Sequence, residues 1–220
     1  MPTRSRRPIP TWTTYQQSIG DRSDLFSTIR ERWPIERALY PGSYLDLSPS
    51  TAISSVTYLD TDRRAAKFFA EPDLIRRDLN NKTTPAGINE VAFLSADYTS
   101  ALPLEDDSFD LLISLYAGPV WDHCRKYLRP GGLLLANSSH GDASIAALDP
   151  DLTPIAAVHH RDSEYRIDEQ DISEYLIPKS PAAADAQKIR DNGRGIVYTR
   201  TAFAYIFQLR MSSAMSMGPL

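Results

Sequence analysis

The chain has 220 residues, is 42% hydrophobic and carries a formal net charge of −4, with 24 basic against 28 acidic side chains. That length supports one sizeable core, and the acidic balance argues against a nucleic-acid partner, whose affinity would rest on Lys and Arg neutralising phosphates. A single cysteine excludes an intrachain disulfide and a paired-cysteine zinc site, and fits a reducing cytoplasm.

The first residues are basic and proline-rich, with no apolar stretch of signal-peptide length behind them and no run approaching a membrane span, so a soluble protein is expected. Residues 1–20 read as an extended arm, 21–210 as one domain and 211–220 as a flexible tail. Trp12 and Tyr15, large aromatics near the end of the arm, are expected to pack on the core.

Residues 24–33 place apolar side chains at helical spacing, and Pro34 stops that helix. Leu39-Tyr40 and residues 56–59 read as short strands, joined by the tight turn Tyr40-Pro41-Gly42-Ser43 and a short helix, while 62–69 is a helix capped at Thr61 or Asp62. A third strand, 91–94, ends at Ser95-Ala96-Asp97-Tyr98. Within residues 102–116 a polar loop then passes into a continuous apolar run, the pattern of a strand covered on both faces. Val120, Cys124 and Leu128 recur every fourth residue, which predicts a helix ended by Arg129-Pro130-Gly131-Gly132, and 133–137 is a fifth strand. The late strands are 155–159 and 195–198 with 201–209, around a polar segment at 168–194. Alternating strands and helices predict an α/β three-layer sandwich with a mostly parallel sheet and an antiparallel terminal pair.

Strand, turn and strand-end acid shape a nucleotide crevice, since ligands of open α/β sheets sit beyond the carboxyl ends of the strands. Asp60 closing the second strand, Asp97 after the third, Ser108-Phe109-Asp110 entering the fourth and Leu128-Arg129-Pro130-Gly131-Gly132 entering the fifth together resemble the class I S-adenosylmethionine-dependent methyltransferases, over residues 24–208. The resemblance implies a Rossmann-like, seven-stranded sheet with a reversed last strand and S-adenosylmethionine as cofactor. It also implies that Tyr40, Pro41, Gly42 and Ser43 face the methionine part, that Asp60 accepts the ribose hydroxyls, and that Ala96, Asp97 and Tyr98 border the adenine. Ser114, Leu115 and Tyr116 would then lie near the methyl group. The chain departs from the family's acid and Gly-x-Gly-x-Gly turn: Leu39 stands near the acid position, and Ser43 and Tyr44 follow Gly42. Their Cβ atoms restrict left-handed backbone angles and narrow the approach to a ligand.

Competing readings accompany each residue. Asp62 reads as a helix cap and Asp110 as a structural acid; Cys124 lies on a buried helical stripe without the Pro-Cys pair of cytosine-C5 methyltransferases. The Asp/Asn-Pro-Pro-aromatic motif of amino-group methyltransferases acting on nucleic-acid bases is replaced by Ser114-Leu115-Tyr116-Ala117. His140 is a candidate general base that Asp142 could orient, and Tyr116 a second candidate; equally, Asp142 could cap the helix that runs through Leu148. His159 and His160 alternate faces on a strand, so no metal is assigned. Gly193-Arg194-Gly195 reads as a turn, and residues 172–179 as a candidate lid or homodimer surface. The leading expectation is methyl transfer to oxygen or nitrogen of a small-molecule acceptor. The alternatives are a catalytically inactive nucleoside-binding or protein-interaction module and, with its Gly-x-Gly-x-x-Gly turn missing, a nicotinamide-dependent oxidoreductase.

Overall fold

The computed structural model describes residues 9–80 and 90–211. Eight strands form one sheet in the order β3-β2-β1-β4-β5-β8-β6-β7. Their ranges are β1 Arg37–Pro41, β2 Ser55–Leu59, β3 Glu90–Leu94, β4 Phe109–Ser114, β5 Leu128–Ala136, β6 Leu152–Arg161, β7 Glu164–Asp168 and β8 Ala204–Leu209. The first five pair in parallel, whereas β8 runs antiparallel to both β5 and β6, and β7 antiparallel to β6.

Strand periodicity of two decides which helices cover which face. Ala38, Tyr40, Val56, Tyr58, Leu111, Ile113, Leu133 and Leu135 point to one side, where α1 (Trp12–Ile19), α2 (Ser23–Arg32) and α3 (Arg63–Phe69) pack, with α4 (Pro72–Asn80) beside α3. Leu39, Leu59, Leu112 and Leu134 point to the other, under α5 (Val120–Cys124), α6 (Asp142–Leu148), α7 (Ile172–Tyr175) and α8 (Ala186–Asn192). The apolar continuity of β4 follows from this double cover. Asp62 caps α3 by accepting from the Arg64 amide at 2.7 Å, as its sequence position suggests.

The structure differs from the sequence expectation in five places. The seven-stranded sheet becomes eight-stranded because Glu164–Asp168 forms an edge strand whose Glu164, Arg166 and Asp168 hide its two apolar residues among charges. Residues 195–198 are not a strand: Tyr198 makes only an isolated bridge to Pro178. The helix expected to run into Arg129 ends at Cys124 and tightens into a 3₁₀ turn at Arg125–Tyr127, and the Arg-Pro-Gly-Gly run lies inside β5. There the pairing with β4 shifts register and Gly131 takes φ +77°, so the glycine serves a bulge instead of a helix cap. Between β1 and β2 only a 3₁₀ turn, Ser48–Thr51, is present. Within the expected extended arm, residues 12–19 form α1, capped by Thr11 and ended by Gly20 at φ +81°. Trp12 is fully buried, and Thr13 hydrogen-bonds the buried Asp78. The remainder of the arm at 1–8, and 212–220 of the tail, lie outside the described residues. Among the described residues no helix is long and apolar enough to cross a membrane.

Candidate functional site

In this strand order, the connections leaving β1 and β4 diverge to opposite sides, and the crevice between their carboxyl ends is the place where open sheets bind ligands. Gly42, first residue after β1, holds φ +67°, and a Cβ built on it would lie 2.5 Å from Ala117 Cβ in the β4 exit loop. Only glycine allows that backbone this approach. Two residues on, Tyr44 keeps a left-handed backbone at φ +48° without being glycine. Its ring meets Tyr15 of α1 edge-on, with centroids 5.0 Å apart, and carries the Arg64 guanidinium 5.1 Å from its centroid.

Asp60, just past β2, holds this turn in place. One carboxylate oxygen accepts the Tyr44 amide at 2.8 Å and the other the Asp62 amide at 2.7 Å. A carboxylate has about four lone-pair sites, so each oxygen retains capacity for a further donor, and the residue is only half-buried. Ser43 Oγ, buried in the same turn, has no hydrogen-bond partner. A positive-φ glycine and a strand-end acid with open acceptor sites fit a polar ligand seated against this turn.

Asp97 is exposed at the far side, where the Thr99 amide and hydroxyl donate to it and hold its carboxyl below the usual carboxylate range. Tyr98 reaches from there to the β4 exit, donating its phenol proton to the Gly118 carbonyl at 3.1 Å. Burial pushes the Tyr98 phenol upward, so it stays protonated and a donor at neutral pH. Ala96 is half-buried beside it.

Other expected site residues face inward. Tyr40 is buried in the core with its hydroxyl on Asp46 at 3.3 Å, Pro41 and Leu115 are buried, and the Ser114 hydroxyl is committed to Asp142. Asp142 does not orient His140, because its Oδ2 accepts from Ser114 and, at 2.8 Å, from the Val120 amide that starts α5. Burial pushes its carboxyl upward, against those two donors. His140 is exposed, and its backbone lies close enough to Gly118 that a Cβ there would be 2.8 Å from His140 Cβ. Tyr116 is 51% exposed and left-handed at φ +60°, with its amide donating to Asn137 Oδ1 at 3.3 Å.

Three contributors escape a reading of the sequence alone. Arg22 is buried in an ion pair with Asp46 at 3.1 Å, and its guanidinium carbon lies 4.8 Å from the Tyr116 ring centroid. Asp46 also anchors the amide and hydroxyl of Ser48, which fixes the chain leaving the β1 turn. Asn137, at the end of β5, joins the β4 and β5 exits by accepting from Tyr116 and Ser139. An acid inside the otherwise uncharged segment 38–59 is the one signal that could have marked Asp46.

No family model and no curated protein matches the chain. Solved structures do. A provisionally assigned O-methyltransferase from Klebsiella pneumoniae superposes with a TM-score of 0.50 at 11% identity, over 88% of this chain and 81% of that one. A methyltransferase from Geobacter sulfurreducens gives 0.49 at 12% identity, over 91% and 87%. An arsenic(III) S-adenosylmethionine methyltransferase from Chlamydomonas reinhardtii gives 0.38 at 25% identity over 46% of this chain, which spans 38% of the length of that protein. What is shared at these identities is the fold, carried by the Klebsiella match and by the strand order.

Proposed function

On the class I S-adenosylmethionine-dependent methyltransferase fold that this chain carries, we propose that the crevice between β1 and β4 binds S-adenosylmethionine and that the protein methylates oxygen or nitrogen of a small-molecule acceptor. The observation that carries this reading is the pairing of Asp60 with the Gly42 turn: a strand-end carboxylate with open lone pairs beside a backbone that carries no side chain of its own.

When bound, the cofactor supplies an already electrophilic sulfonium methyl. The chain's task is then alignment and proton removal. Asp60 would accept hydrogen bonds from the ribose hydroxyls, Gly42 and Ser43 would meet the amino-acid end, and Ala96, Asp97 and Tyr98 would flank the base. The side chains of Tyr40, Pro41, Ser114 and Leu115 support that surface from beneath. Tyr116, tied by its backbone to Asn137, and His140, exposed at the β5 exit, are the groups available to take the acceptor's proton. Calorimetric titration with S-adenosylmethionine, S-adenosylhomocysteine and NAD tests the pocket: binding of the first two, and its loss in Asp60→Ala, is expected. Equal affinity of Asp60→Ala and wild type would remove the site from this crevice.

Tyr44 at the second turn position and the missing helix between β1 and β2 favour a second reading, a non-catalytic module that still binds a nucleoside. Formation of S-adenosylhomocysteine during incubation with a panel of hydroxyl and amine acceptors distinguishes them, since the module would bind without turnover.

A further inference from the structure

We propose that Tyr98 is a latch across the mouth of the crevice and sets which ligands enter it, an inference that rests on the crevice being the binding site. Tyr98 belongs to the loop after β3, at the sheet's edge, yet its hydroxyl ends on Gly118 in the loop after β4, three strands away in the sheet. At the usual spacing that is a reach of about 14 Å, so the loop and its ring run above the carboxyl ends of β2 and β1. The ring's Cε1 would lie 3.9 Å from a Cβ on Gly42, which places the phenol over the turn as well as against the exit loop. Tyr98, Gly42, Ala117 and Gly118 therefore close the mouth from both sides.

Two open clefts lie away from this mouth. One of about 810 Å³ follows the β6–β7 hairpin, and one of about 760 Å³ lies between α8 and residues 195–197; neither is lined by Gly42, Asp60 or Tyr98. A flat ligand that extends from Asp60 across Gly42 to the β4 exit has to take the space that the phenol holds, and the latch resists through one neutral hydrogen bond at 3.1 Å and the packing of a half-buried ring. The apparent affinity is then the intrinsic affinity multiplied by the unlatched fraction. Bulkier or more rigid ligands, which need the ring fully displaced, are penalised most, and this makes Tyr98 a specificity-determining residue.

The test is calorimetry and stopped-flow binding of S-adenosylhomocysteine to wild type, Tyr98→Phe, Tyr98→Ala and Asp60→Ala, each checked for folding by circular dichroism. Removing only the hydroxyl, Tyr98→Phe should bind about fivefold tighter, mainly through a faster association rate, as expected for loss of one ordinary hydrogen bond from the closed state. Tyr98→Ala should show the faster association as well. Wild-type binding that is abolished by Asp60→Ala but unchanged or weakened in Tyr98→Phe overturns the latch and leaves the site standing. Absence of binding by wild type and both Tyr98 variants, all folded, overturns the site and the latch together.

Discussion

Asp60 and Asp142 both lie beyond the carboxyl end of a sheet strand and both accept a backbone N–H, yet one faces a crevice and the other is sealed beneath it. Asp60 is half-buried, with two backbone donors and acceptor sites to spare. Asp142 is fully buried, and Ser114 and the start of α5 converge on one of its oxygens. The residue type and local hydrogen bonding are alike; access to solvent separates a carboxylate available to a ligand from one that serves the fold. Asp46, paired with Arg22 under the β1 turn, belongs with Asp142 in this respect.

The largest loss of stability is expected at Asp46. Asp46→Ala leaves the buried Arg22 without its partner and should cost about 3–5 kcal/mol in urea unfolding. Asp142→Ala, which strands the buried Val120 amide and leaves the Ser114 hydroxyl only the Ala117 carbonyl, should cost about 2–4 kcal/mol in the same measurement. A loss below about 1 kcal/mol at either position would show that its burial is not what defines it. Asp60→Ala reverses the pattern: stability falls by about 1–2 kcal/mol, while S-adenosylhomocysteine affinity falls at least about tenfold through lost charge-assisted hydrogen bonds. If Asp60→Ala unfolded the protein as readily as Asp142→Ala, the distinction would fail.

The smallest effect concerns pH. Burial raises the Asp110 carboxyl, but the Arg37 and Glu36 amides and the Arg129 guanidinium outweigh it and hold it below the ordinary range. A depressed acid contributes stability that is present above its unfolded value of about 3.9 and lost as pH falls through the folded value. Asp142, raised by burial, has the opposite sign: its contribution is full below about 3.9 and lost as pH rises through its folded value. Unfolding midpoints recorded from pH 5 down to pH 2 should therefore fall less steeply in Asp110→Asn than in wild type. Identical slopes would mean that Asp110 is not a source of the acid sensitivity.

Much of this arrangement is legible in the residue order. The parallel strands announce themselves because a strand covered on both faces must be apolar throughout, as Leu111-Leu112-Ile113 is, and Asp62 is readable as a cap because it stands directly before a helical pattern. The edge strand β7 is obscured because one side of an edge needs no apolar residues. The His140 and Asp142 pair suggested by their spacing does not form, since Asp142 opens α6 and turns down towards α5. Spacing along a chain brings two groups near each other; it does not choose the direction in which a buried side chain finds its donors.

Local chemistry along the polypeptide was enough to determine the α/β alternation, the double cover of the central strands, and an acid and a glycine at the mouth of the crevice, because periodicity and turn stereochemistry act over a few residues. Only the tertiary structure decided that Arg22 meets Asp46, that Asp142 serves α5, and that Tyr98 spans the sheet to Gly118. Those partners lie 20 or more residues apart in sequence, as their separations of 24, 22 and 20 show, and meet because closing the sheet fixes them in space. A buried polar group takes whichever partner that closure brings within reach, since leaving it unpaired costs more than the hydrogen bond gains.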